Sequence, residues 1–335
     1  MTIEPAHPTP NDPLAVHAVD LRRRFGDNEA VAGVDLAVER GEVYGFLGPN
    51  GAGKSTTVRM LCTLLLPSSG RATVAGYDII GRPGDARLRI GVALQDSSLD
   101  DKQTGREIIT LQGRLYGLTG RHLRARVGHA AELADIGDAL DDRVGSYSGG
   151  MKRRLDLAAA LVHEPEVLFL DEPTTGLDPA SRARVWDEVE RLNGDGMTIF
   201  LTTQYLEEAD RLADRVGIID GGRIVIEGTP TQLKRGVGTD VVLARLADPD
   251  GLGAPTLAAV ERIPGAMSVD RNGDELVVAA DDGARLIGDI AITLAEHGLV
   301  TESLTMRSPS LDDVFLQATG HRIEPTDPAT EAKAA

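Results

Sequence analysis

Apolar and polar positions alternate with a period of two near the beginning of the chain. Residues 16–21 and 32–38 show this alternation, which predicts two antiparallel strands joined by a turn at 25–28. From residue 43 to 235, short apolar runs that suit buried strands alternate with segments of helical periodicity. This order predicts an α/β fold with a mixed sheet, to which an antiparallel sheet is added at the N-terminal side.

Two later segments depart from this order. The apolar residues of 100–140 recur at helical spacing, with Ile108, Leu111, Leu115 and Leu118 on one face, which predicts a helical subdomain at about 97–162. After residue 235 the pattern follows the order β-α-β-β-α-β, which suggests a small α+β domain of ferredoxin-like type at 236–320.

Composition fills in the boundaries and excludes some classes of function. Residues 1–13 are rich in proline, so we expect a disordered arm there, a large domain at 14–235 and a disordered tail at 321–335. The formal charge of −17 over 335 residues argues against bulk binding to nucleic acid. The N-terminus lacks the features of a secretory signal, and no run approaches the roughly 18 apolar residues of a membrane span, so we expect a cytosolic chain.

A glycine-rich loop follows the predicted strand at 43–47. Residues 48–56 read Gly-Pro-Asn-Gly-Ala-Gly-Lys-Ser-Thr and fit the spacing G-x-x-x-x-G-K-[ST] between a strand and a helix. The glycines let backbone N–H groups point inward, and the helix N-terminus favours an anion, so the loop predicts a polyphosphate cradle. Lys54 is then expected to reach the β and γ phosphates and Ser55 to ligate magnesium. The alternative is a glycine turn with a surface lysine, but composition alone gives on the order of one such match per hundred shuffled chains.

Polar side chains stand at the ends of three further predicted strands. Asp171 and Glu172 follow the apolar run 167–170, and at the carboxyl edge of a parallel sheet they would bind magnesium and orient water, respectively. Gln95 and Gln204 end the strands at 90–94 and 197–203. An amide oxygen such as that of Gln95 is able to ligate a metal.

Three weaker signals have alternative explanations. Ser148, Gly149 and Gly150 open a helix, which marks a second anion site or a plain capped helix start, and the residues alone favour the second. Phe25 is either a core ring or a surface for stacking a nucleobase. Asp178 lies in a turn-rich loop before the helix at 180–192.

In this order the motifs resemble those of the ATP-binding subunit of an ABC transporter, specifically the daunorubicin/doxorubicin-resistance type of exporter ATPase. The correspondence covers the Walker A loop at 48–56, the Q-loop, the signature at 147–151, Walker B at 167–171, the D-loop at 176–178 and the A-loop aromatic. The resemblance implies ATP and Mg²⁺ as cofactors. It implies nucleotide-binding roles for Phe25, Gly48, Asn50, Gly51, Ala52, Gly53, Lys54, Ser55, Thr56, Gln95, Ser148, Gly149, Gly150 and Asp178, metal-binding roles for Ser55, Gln95 and Asp171, and catalytic roles for Glu172, Gln204 and Lys54.

Two positions depart from the family pattern. The signature reads Tyr-Ser-Gly-Gly-Met where the broad family usually has Leu-Ser-Gly-Gly-Gln, which keeps the serine and glycines that touch phosphate. Gln204 replaces the switch histidine within the run Thr-Thr-Gln-Tyr-Leu, which resembles the drug-resistance subgroup. Glutamine can hydrogen-bond a γ-phosphate but cannot become cationic, so slower hydrolysis is expected.

The resemblance also implies partners. Two copies would pair head to tail, with the Ser-Gly-Gly of one covering the ATP of the other, and a separate membrane permease would dock near residues 97–116. The expected function is energy coupling for an exporter of drugs or hydrophobic natural products, as a peripheral protein on the cytoplasmic face of the membrane. DNA-repair or translation ATPases are disfavoured, since the chain has neither a long coiled-coil insert nor two nucleotide domains. The alternative, motivated by Gln204, is a weakly hydrolysing regulatory or drug-sequestering module.

Overall fold

The computed structural model describes residues 13–94, 99–247, 252–272 and 275–321. By their contacts these residues divide after Pro230 into two compact units. The predicted arm at 1–13 and tail at 321–335 lie outside the described residues, apart from Pro13 and His321.

The first unit combines strands and helices in alternation. Its described strands are β1 (Leu14–Phe25), β2 (Asn28–Glu39), β3 (Val43–Leu47), β4 (Ser69–Val74), β5 (Tyr77–Asp78), β6 (Ile90–Ala93), β7 (Val167–Asp171), β8 (Thr198–Thr203), β9 (Arg215–Asp220) and β10 (Arg223–Gly228). Its described helices are α1 (Lys54–Leu61), α2 (Pro83–Arg87), α3 (Gly105–Leu115), α4 (Gly120–Ala134), α5 (Gly149–Ala160), α6 (Pro179–Gly194) and α7 (Leu206–Leu212).

Two sheets form the framework of this unit. The central sheet has the order β10-β9-β3-β8-β7-β6 and is parallel except for β10, while the second sheet has the order β2-β1-β4-β5 and is antiparallel. Every residue of β3 and β7 is buried, as their continuous apolar runs predicted for strands covered on both faces. The predicted α/β fold with an added antiparallel sheet is therefore confirmed.

Apolar layers cover both faces of the central sheet. On one face, Phe46, Phe169 and Phe200 pack with residues of the antiparallel sheet, and the ring centroid of Phe200 lies 5.5 Å from each of the other two. On the other face, residues of α5 and α6, including Trp186, pack against the strands. This double cover fixes β3, β7 and β8 side by side, so that their carboxyl ends meet at one edge.

The helical subdomain has its own core, but only half of the predicted apolar face packs against it: Ile108 and Leu118 are half-buried there. Leu111 and Leu115 are 45% and 72% exposed, whereas Ile109 and Gly113 are buried. A Cβ on Gly113 would lie 2.6 Å from Leu123 Cδ1, so α3 approaches α4 along its glycine-bearing face. Close packing against α4 therefore buries Gly113 in place of Leu111 and Leu115, which apolar periodicity alone does not reveal.

Helix α1 also differs from its prediction. The helix-like run 57–66 predicts a helix after the glycine loop. The helix starts three residues earlier, at Lys54, because Gly53 adopts a φ of 106° and turns the loop directly into the helix. It ends at Leu61, and Thr63 has a φ of 62°, which a continuing helix does not permit. Leu64 and Leu66 consequently lie outside the helix and are exposed.

The second unit has the connectivity predicted for a ferredoxin-like domain. Its described elements are α8 (Pro230–Val237), β11 (Asp240–Leu246), α9 (Ala254–Glu261), β12 (Ala266–Asn272), β13 (Glu275–Ala280), α10 (Gly283–Glu296), β14 (Thr301–Arg307) and α11 (Leu311–Thr319). The sheet is antiparallel in the order β12-β13-β11-β14. Val242, Leu276, Val278 and Ile290 belong to its core. Ser310 caps α11 in a reciprocal pair of hydrogen bonds with Asp313. Within the described ranges, every helix is too short or too polar to span a bilayer.

Candidate active site

The loop between β3 and α1 depends on glycine for steric reasons. Gly51 and Gly53 have φ values of 81° and 106°, in the region that L side chains rarely adopt. A Cβ on Gly53 would lie 2.5 Å from the carbonyl oxygen of Ala30, and one on Gly48 would lie 2.4 Å from that of Ile219. The glycines thus let the loop curl tightly against neighbouring backbone and open its amides to one side.

This loop borders a cavity of about 360 Å³. The lining brings together most of the predicted phosphate-loop residues with Glu172, which lies more than a hundred positions away in sequence. The lining residues are Ala30, Asn50, Gly51, Gly53, Lys54, Ser55, Thr56 and Glu172. Lining by a glycine loop, one cation and one carboxylate suits a charged ligand such as a polyphosphate.

Lys54 is held by the backbone of its own loop and by Glu172. Its Nζ donates to the carbonyl oxygens of Gly48 at 2.8 Å and Pro49 at 3.1 Å, and lies 3.1 Å from Glu172 Oε1. The side chain is 3% exposed. Burial lowers the pKa of Lys54, and the carboxylates of Glu172 and Asp171 oppose this effect. The ammonium group is therefore fixed in place before any ligand contacts it.

Asp171 lies beside Ser55, as a shared role at a metal requires. Ser55 Oγ donates to Asp171 Oδ1 at 3.2 Å, and Thr202 Oγ1 donates to the same oxygen at 2.5 Å. Mg²⁺ prefers oxygen ligands and commonly takes only one or two from the protein, with phosphates and water completing the octahedron. A hydroxyl and a carboxylate at this separation fit that ion. Gln95, the third predicted ligand, lies outside the described residues.

Glu172 adopts a strained backbone conformation. Its φ is 47°, a value that is uncommon for a residue other than glycine. Its N–H donates to both the carbonyl and the hydroxyl oxygen of Thr202, each at 3.1 Å, and its Oε2 accepts from Thr175 Oγ1 at 3.3 Å. Strain of this kind persists only where the surroundings enforce it, and it is concentrated at active sites. Here it turns the carboxylate toward Lys54.

Gln204 follows β8, the strand that lies between β3 and β7 in the central sheet. β8 pairs with β3 on one side and β7 on the other, so Gln204 emerges between the segments that carry Lys54 and Glu172. It is 5% exposed. The structure thus places Gln204 at the same sheet edge as these two residues.

The signature residues lie elsewhere on the surface of the unit. Ser148 caps α5 by accepting from Met151 N at 3.3 Å, and both Ser148 and Gly149 are exposed. A Cβ on Gly150 would lie 3.0 Å from Ser181 Oγ. Asp178 caps α6 and accepts from Ser181 Oγ at 2.6 Å, and this bond and those from backbone amides lower its pKa. The signature and the D-loop are therefore neighbours.

Among the described residues, several of the predicted ligands do not line the cavity. Ser148, Gly149, Gly150 and Asp178 are absent from its lining. Phe25 is absent too: it ends β1 opposite Asn28, is 46% exposed, and carries the Arg23 guanidinium 4.4 Å from its ring centroid. Its role in stacking a nucleobase stays a prediction.

Sequence reasoning missed three residues that organise the site. Thr202 and Thr175 bond to the backbone or side chains of the two carboxylates. Arg153 donates from α5 to backbone carbonyls at the end of β7. Arg153 left a signal in the sequence, because it occupies a position four residues before Leu157 on the apolar face of a helix.

Comparison with known proteins gives concordant results. Residues 31–175 match the family model described as ABC transporter. The chain is 46% identical over 316 residues to the daunorubicin resistance ATP-binding protein DrrA2 of Streptomyces coeruleorubidus, covering 94% of this chain and 98% of that protein. It is 45% identical to the daunorubicin/doxorubicin resistance ATP-binding protein DrrA of Streptomyces peucetius, covering 96% of each. The solved structure of cbiO1 from Clostridium perfringens, described as part of the ABC transporter complex cbiONQ, is 30% identical with a TM-score of 0.61, covering 66% of this chain and 91% of that one.

Proposed function

We propose that this chain, which belongs to the ABC transporter family of ATP-binding subunits, powers the export of drugs or hydrophobic natural products. Members of this family bind nucleotide, dimerise and work with a membrane permease, and the chain is an ATPase of this type. The observation that carries the proposal is the convergence of Lys54, Asp171 and Glu172 around one glycine-lined site. Each of these side chains would have a distinct part in binding or hydrolysing ATP.

ATP would lie with its phosphates against the loop amides and the α1 N-terminus. Lys54 would contact the terminal phosphates, since its ammonium already lies within the loop. Ser55 and Asp171 would hold Mg²⁺, which when bound neutralises phosphate charge. Glu172 would orient the attacking water, because its carboxylate lies at the cavity wall and its backbone is held in place from Thr202.

A second copy would supply the signature residues. Ser148 and Gly149 are exposed at the start of α5, a position where backbone N–H groups favour an anion. Within the described residues they do not line the cavity of their own chain. Exposure at a capped helix start supports the arrangement in which they cover ATP bound to the partner chain.

The permease would dock on the helical subdomain beside α3. A groove of about 620 Å³ lies there, and its lining mixes charged residues such as Arg106, Glu107 and Asp141 with Leu111. Leu111 and Leu115 are exposed on this helix. Exposed apolar side chains rimmed by charge are typical of protein interfaces. Apart from Asp141, the residues that line the groove belong to the region 97–116 predicted for this contact.

The exported compound is proposed from the relatives. Two proteins that match nearly the whole chain at 45–46% identity are described as daunorubicin resistance proteins. Similarity of this extent supports an anthracycline or a comparably hydrophobic natural product as the substrate.

Doxorubicin accumulation in cells tests the proposal. The chain would be expressed together with a candidate membrane permease that copurifies with it, and intracellular doxorubicin would be measured by fluorescence. We expect lower accumulation with the native chain than with Lys54→Ala, which removes the cation of the site. Equal accumulation for the two, with the permease present in the membrane, would contradict drug export.

A further inference from the structure

Arg153 is a buried cation that joins three segments of the first unit: its own helix α5 and the ends of β6 and β7. Its Nε donates to the carbonyl oxygen of Pro173 at 2.9 Å, its Nη1 to that of Leu94 at 2.7 Å, and its Nη2 to that of Asp171 at 3.3 Å. Nη1 also lies 3.4 Å from Asp156 Oδ2. One guanidinium group therefore bonds to the ends of β6 and β7 from the helix that the signature opens.

These bonds bracket Glu172. The carbonyls of Asp171 and Pro173 belong to the residues immediately before and after it. Between them, Glu172 holds its φ of 47°, with its N–H bonded to Thr202 on the opposite side. A left-handed conformation is strained for a non-glycine residue, because its Cβ crowds the following carbonyl oxygen. Arg153 and Thr202 bond to the carbonyl and the N–H of the peptide group before Glu172. The carbonyl of Glu172 itself, in the peptide group after it, accepts from Thr175 N at 3.3 Å, and Arg153 holds the next carbonyl, that of Pro173.

The same guanidinium reaches the segment that precedes Gln95. Leu94 is the last described residue before it, and its carbonyl accepts the shortest of the three backbone bonds. Arg153 itself lies five positions after Ser148 on α5. The position of α5 is thus linked through one side chain to the backbone of the catalytic carboxylate and to the end of β6.

Arginine is the residue type that suits this junction. Its planar fork presents five N–H donors in fixed directions, whereas lysine presents a point charge on a flexible stem. Because the side chain is buried, a carbonyl that loses its bond to Arg153 has no bulk water to replace the lost donor. A conservative change to lysine therefore keeps the charge but loses the geometry.

We propose that Arg153 is a positioning residue that sets the orientation of Glu172 and couples it to the signature helix. This rests on the proposed role of Glu172 in ATP hydrolysis. A displaced α5 would shift the carbonyls on both sides of Glu172, so water would be oriented correctly only when α5 is in place. Arg153 does not line the cavity beside the glycine loop, and it acts through the backbone around Glu172.

The test separates turnover from binding. ATPase kinetics would be measured for Arg153→Lys and for a control on the same helix, Arg154→Lys, whose side chain contacts Asp135 and none of the residues at the end of β7. We expect Arg153→Lys to lower kcat at least about tenfold with KM for ATP within about twofold, because positioning errors act on the chemical step. The control should keep both parameters within about twofold of the native values.

A double-mutant cycle excludes a merely structural role. In a Glu172→Gln background, Arg153→Lys should change the residual kcat by less than about twofold, because the carboxylate that it positions is gone. A loss as large as in the native background would overturn the proposal, as would an unchanged kcat in the single variant. If Arg153→Lys does not fold, Arg153→Gln, which retains two N–H donors without charge, provides the same comparison.

The controls also separate this proposal from the function on which it rests. If the native chain hydrolyses ATP no faster than Lys54→Ala, the proposed ATPase site is wrong. If the native chain is active and Arg153→Lys matches it in kcat, only the positioning role of Arg153 is wrong.

Discussion

The first unit has two regions that we expect to contact phosphate: the pocket beside the glycine loop and the surface at the signature. They differ in how much of the site a single chain provides. Around the glycine loop, Lys54, Asp171, Glu172 and Gln204 are each 7% exposed or less. At the signature, Ser148 and Gly149 are exposed, and the serine hydroxyl accepts from a backbone amide of its own helix. The residues of the first region are buried around a pocket within one chain, whereas Ser148 and Gly149 of the second region lie on its surface.

This difference shows which contacts hold the side chains of the site in fixed positions. Groups around the loop are fixed by several bonds each, from three adjacent strands, so their geometry exists in one chain. At the signature, Ser148 makes one helix-cap bond, and the exposed helix N-terminus beside it is open to a ligand from outside the chain. Arg153 is the described side chain that bonds from the helix of the second region to the backbone of the first. Substitutions in the two regions should therefore affect ATP binding and ATP hydrolysis differently.

Among substitutions in the pocket beside the glycine loop, Glu172→Gln should lower ATP hydrolysis the most. Loss of the carboxylate should lower kcat by roughly 100-fold or more while ATP binding remains, because the loop carbonyls of Gly48 and Pro49 still hold Lys54. The variant should accumulate as an ATP-bound dimer, which size-exclusion chromatography with and without ATP would detect. Glu166→Gln is the matched control, since Glu166 pairs with Arg40 and Arg89 at the surface. Hydrolysis at the native rate would show that Glu172 does not orient water.

Ser148→Arg should break the other region without harming the first. The monomer should bind a fluorescent ATP analogue normally but lose ATPase activity, because the bulky cation blocks the surface that covers the partner's nucleotide. Mixing this variant with Lys54→Ala sharpens the comparison. A mixed dimer keeps one intact composite site, so random pairing should restore about a quarter of native activity if the two sites act independently. No recovery would mean that signature and loop act within one chain.

Local sequence predicted one region better than the other, for physical reasons. The strand at 43–47, the glycine loop and the carboxylates after β7 are encoded within short segments, and the structure has these elements at the predicted places. The φ of Glu172 and the bonds from Thr202 and Arg153 depend on residues 18 to 30 positions apart, which no local pattern contains. The buried face of α3 depended on a glycine that allows close approach to α4. The role of Ser148 came from family resemblance, because a capped helix start has the same sequence with or without a ligand.

Asp156 allows the junction itself to be tested through pH. Burial raises the pKa of Asp156 from its ordinary value of 3.8 to about 6, while Arg153 opposes this. Because the folded protein holds this proton more tightly than the unfolded chain, the stability from Asp156 is full below pH 3.8 and is lost as pH rises through about 6. Compared with Asp156→Asn, the native chain should lose up to about 3 kcal/mol between pH 4 and 7.

Urea unfolding of both proteins at several pH values measures this difference directly. Effects of all other titrating groups are common to the two proteins and cancel in the comparison. If the difference in unfolding free energy between the two proteins does not vary with pH, Asp156 has its ordinary pKa and is not buried beside Arg153.

Gln204→His should change ATP hydrolysis the least of these substitutions. It tests Gln204, the polar residue of the pocket that departs from the family pattern. Gln204 is buried at the end of β8, between the segments of Lys54 and Glu172, so an imidazole there would face the same ligand. A histidine can carry positive charge toward a phosphate, and we expect kcat to rise a few-fold, with the gain greatest at low pH. Gln204→Asn, which retracts the amide by one methylene, should instead lower kcat with ATP binding unchanged. If neither variant alters kcat, Gln204 does not contact the reacting phosphate, and the pocket side works through Lys54 and Glu172 without it.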